Sequence, residues 1–427
     1  MNREERRTRR QKDTKNATLI FIIFLIVVLL ALAGLVFLAG KFIFRDKAEK
    51  PPVQTETQTE SVPVTEEVEA PTVPVVDEAT TKAAEYVAGM TLEDKIAQMF
   101  VITPDALTGY SGVTAAGDTT KEWYAKRPVG GIVYLSGNLK DREQTTTMLA
   151  NMNTIAVECT GLPAFLCVDE EGGTVARIAG NSAFGVTDVG NMGAVGATGD
   201  SQNAYNAGNV IGGYLSELGF NVDFAPVADV LTNEQSMMGD RSFGTDSQMV
   251  AEMVASELKG LSDAGVYGTA KHFPGHGGVS GDSHESAVAT ERTLEELMAA
   301  ELVPFQRAID SGVPFIMVGH IAAPNVTGDN TPASLSQKMI TDVLRTQMGY
   351  NGIVITDAMD MSAITGSYGA DAAAVQAVQA GADMILMPED YEKAYNGLLD
   401  AVKNGTISEE RINESLVRIV KAKQQLG

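Results

Sequence analysis

Asn351-Gly352-Ile353-Val354-Ile355-Thr356-Asp357-Ala358 is the stretch that decides the fold. Its apolar residues are consecutive rather than alternating, as in a strand buried on both faces, and the run stops on a carboxylate. Seven other runs have the same form: 97–103, 130–136, 164–170, 222–229, 268–275, 314–321 and 382–388. Between them lie helix-period segments such as 247–264, 293–311 and 337–348, and a last helix is expected from 408 to about 425. Strands alternating with helices imply right-handed crossovers and a parallel sheet. Eight such units within residues 80–427 predict an α/β fold of the (β/α)8 barrel type. An open doubly wound sheet is the competing architecture. No Gly-x-Gly-x-x-Gly turn follows the first run to support it.

The polar residues point the same way. Asn138, Asp169, Asp229, Lys271, His272, His320 and Asp357 fall at or near the C-terminal ends of the apolar runs. In a barrel those ends converge on one rim, where the fold carries its active sites.

All four histidines lie between residues 272 and 320, three of them in Lys271-His272-Phe273-Pro274-Gly275-His276-Gly277-Gly278-Val279-Ser280-Gly281-Asp282-Ser283-His284. Imidazole titrates near neutrality and also binds metals, so the cluster suggests chemistry. The glycines make this segment a loop. His272, His276, Asp282 and His284 could supply four metal ligands. However, Pro274-Gly275 breaks any helix that would put His272 and His276 on one face. A metal-dependent hydrolase stays as an alternative on these residues alone.

Residues 1–16 are basic, and an uncharged run from Ala17 to Gly40 follows. Its length as a helix, roughly 36 Å, suffices for a hydrocarbon core of about 30 Å. The excess of Arg and Lys before it predicts a cytoplasmic N-terminus, a single-pass signal anchor over 17–43 and an extracellular remainder. A cleaved signal peptide is the alternative, but its apolar core is usually about 7–15 residues. Residues 44–79 read as a Pro/Thr/Glu-rich linker too poor in apolar surface to order itself. Residues 51–427 carry a formal charge of −29, which argues against nucleic acid as a partner. Two cysteines, Cys159 and Cys167, are too few for a disulfide framework, and Cys167 reads as a small core residue.

Several motifs in fixed order carry a resemblance. They are Val168-Asp169-Glu170-Glu171-Gly172-Gly173 with Arg177, then Asp223-Phe224-Ala225-Pro226-Val227-Ala228-Asp229-Val230, then Asp240-Arg241-Ser242-Phe243-Gly244. The histidine loop, Ile355-Thr356-Asp357-Ala358-Met359-Asp360-Met361 and Ala380-Gly381-Ala382-Asp383-Met384 follow. Over roughly residues 85–427 the chain resembles family 3 glycoside hydrolases of the bacterial β-N-acetylglucosaminidase branch. The resemblance implies a retaining mechanism without metal or other cofactor. Asp357 is then the nucleophile, with Asp360 its rival by chemistry alone, and His284 oriented by Asp282 is the acid/base. Asp169, Arg177, Arg241, Lys271 and His272 would contact the sugar hydroxyls. His276 is expected to brace the loop rather than touch substrate; Asp229 and His320 stay open between those roles. Many relatives carry a C-terminal domain, and none is expected here after the last barrel helix. The expected activity is release of terminal β-linked N-acetylglucosamine from peptidoglycan-derived glycans, outside the membrane. Alternatives are a family 3 phosphorylase or β-glucosidase and, more distantly, a metal-dependent hydrolase or a catalytically dead sugar-binding surface protein.

Overall fold

A computed structural model describes residues 77–283 and 286–426. The anchor expected at 17–43 and nearly all of the linker lie outside these residues. No helix among the described residues is long and apolar enough to cross a membrane.

Each of the eight apolar runs forms a strand: β1 Phe100–Ile102, β2 Gly131–Val133, β3 Phe165–Val168, β4 Val222–Asp223, β5 Tyr267–Phe273, β6 Phe315–Val318, β7 Ile353–Thr356 and β8 Ile385–Leu386. They pair in parallel in the order β7-β6-β5-β4-β3-β2-β1-β8. A parallel bridge from Ile355 to Met384 brings β8 against β7, so the sheet nearly closes into a ring. Every residue of β3, β6 and β7 is buried, because helices cover the outer face and neighbouring strands the inner one. That explains why the runs are apolar without alternation. Cys167 is buried in β3, as its apolar surroundings implied.

Three details differ from the sequence expectation. The 293–311 helix is two helices, Leu294–Ala299 and Val303–Asp310. Pro304 has no N–H to continue the first, and the chain turns at Ala300 to bury Glu301. The 337–348 helix is wide, with the Met348 N–H reaching five residues back to the Val343 carbonyl at 2.9 Å. A helix also starts at Glu78, inside the last residues assigned to the linker. Asp77 caps it by accepting from the Thr80 N–H at 2.8 Å, and Lys421 bonds the same carboxylate.

The N-terminal mouth of the barrel is plugged by the final helix, Glu409–Gln424. Lys423 reaches Gln98 beside β1 at 2.7 Å and lies over the Phe165 ring at the start of β3. Asp383, at the entry to β8, accepts from Ser415 and Arg418 of that helix and from the Val354 N–H. The Ala380–Met384 motif is therefore structural. Chemistry is left to the opposite rim.

Candidate active site

On the C-terminal rim, residues that follow five consecutive strands, β3 to β7, meet. Lys271, from the end of β5, places its ammonium 3.0 Å from Asp169, which follows β3, and 2.6 Å from Glu171. Glu171 also takes a two-pronged bond from Arg241, with both N–H···O distances 2.8 Å. Arg177 lies 4.0 Å from Asp169. Its loop is fixed by Glu170, which accepts from the Ile178 and Ala179 N–H groups and the Tyr214 hydroxyl, each at 2.8 Å. Burial alone would raise the Glu171 carboxyl, but Lys271 and Arg241 outweigh it and hold it near 2. Burial likewise opposes the Lys271 charge, yet Glu171 and Asp169 push its ammonium above the usual lysine range. The pocket wall is thus a fixed set of charged donors and acceptors, suited to a ring bearing hydroxyls.

Beside this set stands a carboxylate–histidine pair. Asp229, wholly buried, accepts from His272 Nδ1 at 2.8 Å and from the His276 N–H at 2.6 Å. This leaves His272 Nε2 as the ring's other polar atom and makes Asp229 an orienting group.

Asp357 sits at the end of β7. One of its oxygens accepts from the Ala358 N–H at 2.8 Å. Burial would raise its carboxyl, but His272, His320, the Ala358 N–H and Lys271 together hold it below the ordinary range. It is therefore an anion at neutral pH. His320 is buried and bonds Ser334 through Nδ1 at 2.7 Å and the Ala358 carbonyl through Nε2 at 2.8 Å. A carbonyl can only accept, so Nε2 carries a proton, and the ring braces the backbone immediately after Asp357. The rival, Asp360, is exposed in the turn that follows.

The histidine loop returns to this rim. His276 Nε2 meets the Ser283 hydroxyl at 3.0 Å, and the Ala363 N–H donates to the Ser283 carbonyl at 3.3 Å. The residue after Asp282 is thereby held against the segment that follows Asp357. His284 lies outside the described residues. Burial pushes the His276 ring below the usual histidine range, against the pull of Asp229.

Of the residues singled out in the sequence, Asp169, Arg177, Arg241, Lys271, His272 and Asp357 come together. Asn138 does not act here: it donates to Asp105 and the Val113 carbonyl and braces the loop after β1. Glu171 and Glu170 were missed as site residues. The signal was three consecutive acids at a strand end, Asp169-Glu170-Glu171. Among the described residues no group of three or more His, Cys, Asp or Glu is disposed to hold a metal ion.

The model of the glycosyl hydrolase family 3 N-terminal domain matches residues 91–422. Beta-hexosaminidase A of Pseudoalteromonas piscicida is 30% identical over 329 residues, covering 71% of this chain and 55% of that protein. A beta-hexosaminidase of Stenotrophomonas maltophilia is 32% identical over 282 residues, 65% of this chain and 82% of its own length. The structure of a glycoside hydrolase family 3 beta-N-acetylglucosaminidase from Paenibacillus sp. superposes with a TM-score of 0.74 at 38% identity. That match covers 79% of this chain and 63% of the other. The chain thus spans little more than half of the first of these relatives.

Proposed function

The chain belongs to glycosyl hydrolase family 3, and on that premise we propose that it is a retaining exo-β-N-acetylglucosaminidase. The observation that carries the reading is the setting of Asp357. An anionic carboxylate stands at a strand end beside His272 and Lys271, and a second loop bearing Asp282 and His284 is tied to the segment just behind it.

Asp357 attacks the anomeric carbon and forms a glycosyl ester as the bond to the leaving oxygen breaks. His284 gives that oxygen its proton, then takes one from water as water displaces Asp357. Asp282 orients the imidazole and stabilises its cation. Asp169, Arg177, Arg241, Lys271 and His272 hold the hydroxyls of the terminal sugar, and Glu171 fixes the two long cations among them. The substrates are peptidoglycan-derived glycans or muropeptides. Residues 17–43 anchor the enzyme in the membrane with the barrel outside.

Two measurements test this reading. A substrate panel should favour N-acetylglucosaminides over glucosides. A 2-fluoro glycoside of matching configuration should trap an adduct, located by peptide mass spectrometry on Asp357. Label on Asp360, or no adduct from a substrate that is turned over, would transfer the nucleophile's role or end the retaining mechanism.

A further inference from the structure

Between Gly275 and Thr290 the histidine loop is anchored at both roots by packing that excludes alternatives. A Cβ on Gly277 would lie 2.1 Å from the Val230 carbonyl oxygen, and one on Gly275 2.7 Å from the Glu301 Cβ. Val279 and Val288 pack with Ile321 in a small apolar cluster of their own. Val288–Ala289 pairs in parallel with Ile321–Ala322, and the Thr290 N–H closes on the Ala322 carbonyl at 2.9 Å. Between these roots, Ser283 is the one buried position among the described residues.

Ser283 has two attachments that lead to different parts of the site. Its hydroxyl meets His276 Nε2, whose own backbone N–H is fixed on Asp229. Its carbonyl accepts from Ala363, six residues beyond Asp357. The proximal anchor is therefore the Asp229 network that orients His272, and the distal one is the nucleophile's loop. Nothing about a loop serine requires burial. A serine buried to 2% exposure with both polar groups engaged is a built contact.

We propose that Ser283 is a positioning residue for the acid/base step. Its contacts to His276 and Ala363 tie the loop backbone, between the proposed dyad's two members Asp282 and His284 in sequence, to the segment that follows Asp357. This inference rests on the proposed glycosidase mechanism. It adds that His276 acts on the reaction through Ser283 rather than on the sugar. A shift of about 1 Å in a reacting group can cost on the order of 100-fold. Only substrates that need leaving-group protonation should register that shift.

The test uses the full chain with Ser283→Ala, Ser283→Thr, His276→Leu and the Ser283→Ala/His276→Leu double variant. Each is assayed on an aryl N-acetylglucosaminide with an activated leaving group and on an N-acetylglucosamine disaccharide. The expected result for Ser283→Ala is a loss of roughly 10- to 100-fold in kcat on the disaccharide, little change on the aryl glycoside and near-normal KM. Ser283→Thr, which keeps the hydroxyl, should recover most of the loss. The double variant should be no worse than the poorer single, because both remove one contact. Amide hydrogen exchange in Ser283→Ala should quicken across 280–287 and stay unchanged in the barrel strands. Equal losses on both substrates, additive single effects, or unchanged exchange in the loop each overturn the proposal. A wild-type chain silent on both substrates overturns the glycosidase reading instead, and hydrogen exchange still decides the Ser283 contact.

Discussion

Replacing Glu171 by glutamine removes one charge from the centre of the rim network while keeping its shape. In the native chain this carboxylate is 2% exposed and sits between Lys271 at 2.6 Å and the Arg241 fork at 2.8 Å. Its carboxyl is held near 2, against an ordinary 4.5. At about 1.4 kcal/mol per unit, that difference corresponds to about 3 kcal/mol of stability at neutral pH. Because the folded value is the lower one, the contribution is complete above pH 4.5 and is lost as pH falls through about 2. Glu171→Gln should therefore unfold in urea about 3 kcal/mol more easily than wild type at pH 7. The gap between the two should narrow steadily below pH 4.5, where wild type surrenders the same charge. KM should rise as well, since Lys271 and Arg241 lose the acceptor that fixes their heads. A difference under about 1 kcal/mol at pH 7, or a gap that stays constant down to pH 3, would refute the view that this charge holds the wall together.

Asp357→Asn should abolish turnover in a chain that still folds, with an unfolding midpoint somewhat below wild type at neutral pH because the lost anion is one its surroundings favour, while Asp360→Asn, altered in an exposed turn, should keep most of its activity; stopped assays with an aryl glycoside check both. Glu257 is buried in the helix Ser247–Asp263, and burial lifts its carboxyl to about 8. The folded form then keeps a proton that the unfolded chain releases, so this group's contribution is present below pH 4.5 and is lost as pH rises to 8; urea midpoints across that window should fall less in Glu257→Gln than in wild type. Lys423 runs the other way, since burial in the barrel mouth lowers its ammonium to about 7. The unfolded chain binds more protons between pH 7 and 10.5, so stability should rise across that interval in wild type and stay flatter in Lys423→Met, as thermal midpoints would show.

The strands were legible because burial on both faces leaves a continuous apolar signature, and 353–356 is the clearest case. The strand-end residues were legible for a related reason. Barrel topology sends every such end to one rim, so position along a run already states where Asp169, Lys271 and Asp357 point. What the sequence concealed were partners contributed from far away. Glu171 and Arg241 are 70 positions apart, and nothing local says that one grips the other. The two halves of the 293–311 segment hid a turn because its period stays helical throughout, and only Pro304 marks the break. Asn138 misled through the same strand-end rule that succeeded elsewhere, because its amide is consumed in bracing Asp105 and Val113.

The pairing of the rim cations bears on which acceptor completes the reaction. An imidazole that has given up its proton is neutral, whereas a carboxylate in that role would be an anion and repel a second anion. Phosphate could then compete with water for the glycosyl ester on electrostatic grounds. A dianion also needs a cation to receive it, and the rim's candidates are engaged. Lys271 is bonded to Asp169 and Glu171, Arg241 is bound through two nitrogens to Glu171, and Arg177 lies 4.0 Å from Asp169. Freeing Lys271 or Arg241 costs a charge-assisted bond, and for the buried Lys271–Glu171 pair about 3–5 kcal/mol when one partner is left alone; Arg177, at 4.0 Å, is held to Asp169 by charge alone. Water needs no such rearrangement. Reaction in phosphate buffer should therefore yield free N-acetylglucosamine, with the rate independent of phosphate concentration at constant ionic strength. A sugar 1-phosphate as the main product would show that one of these cations exchanges its carboxylate for phosphate during turnover, and the wall would then be a switching element rather than a fixed one.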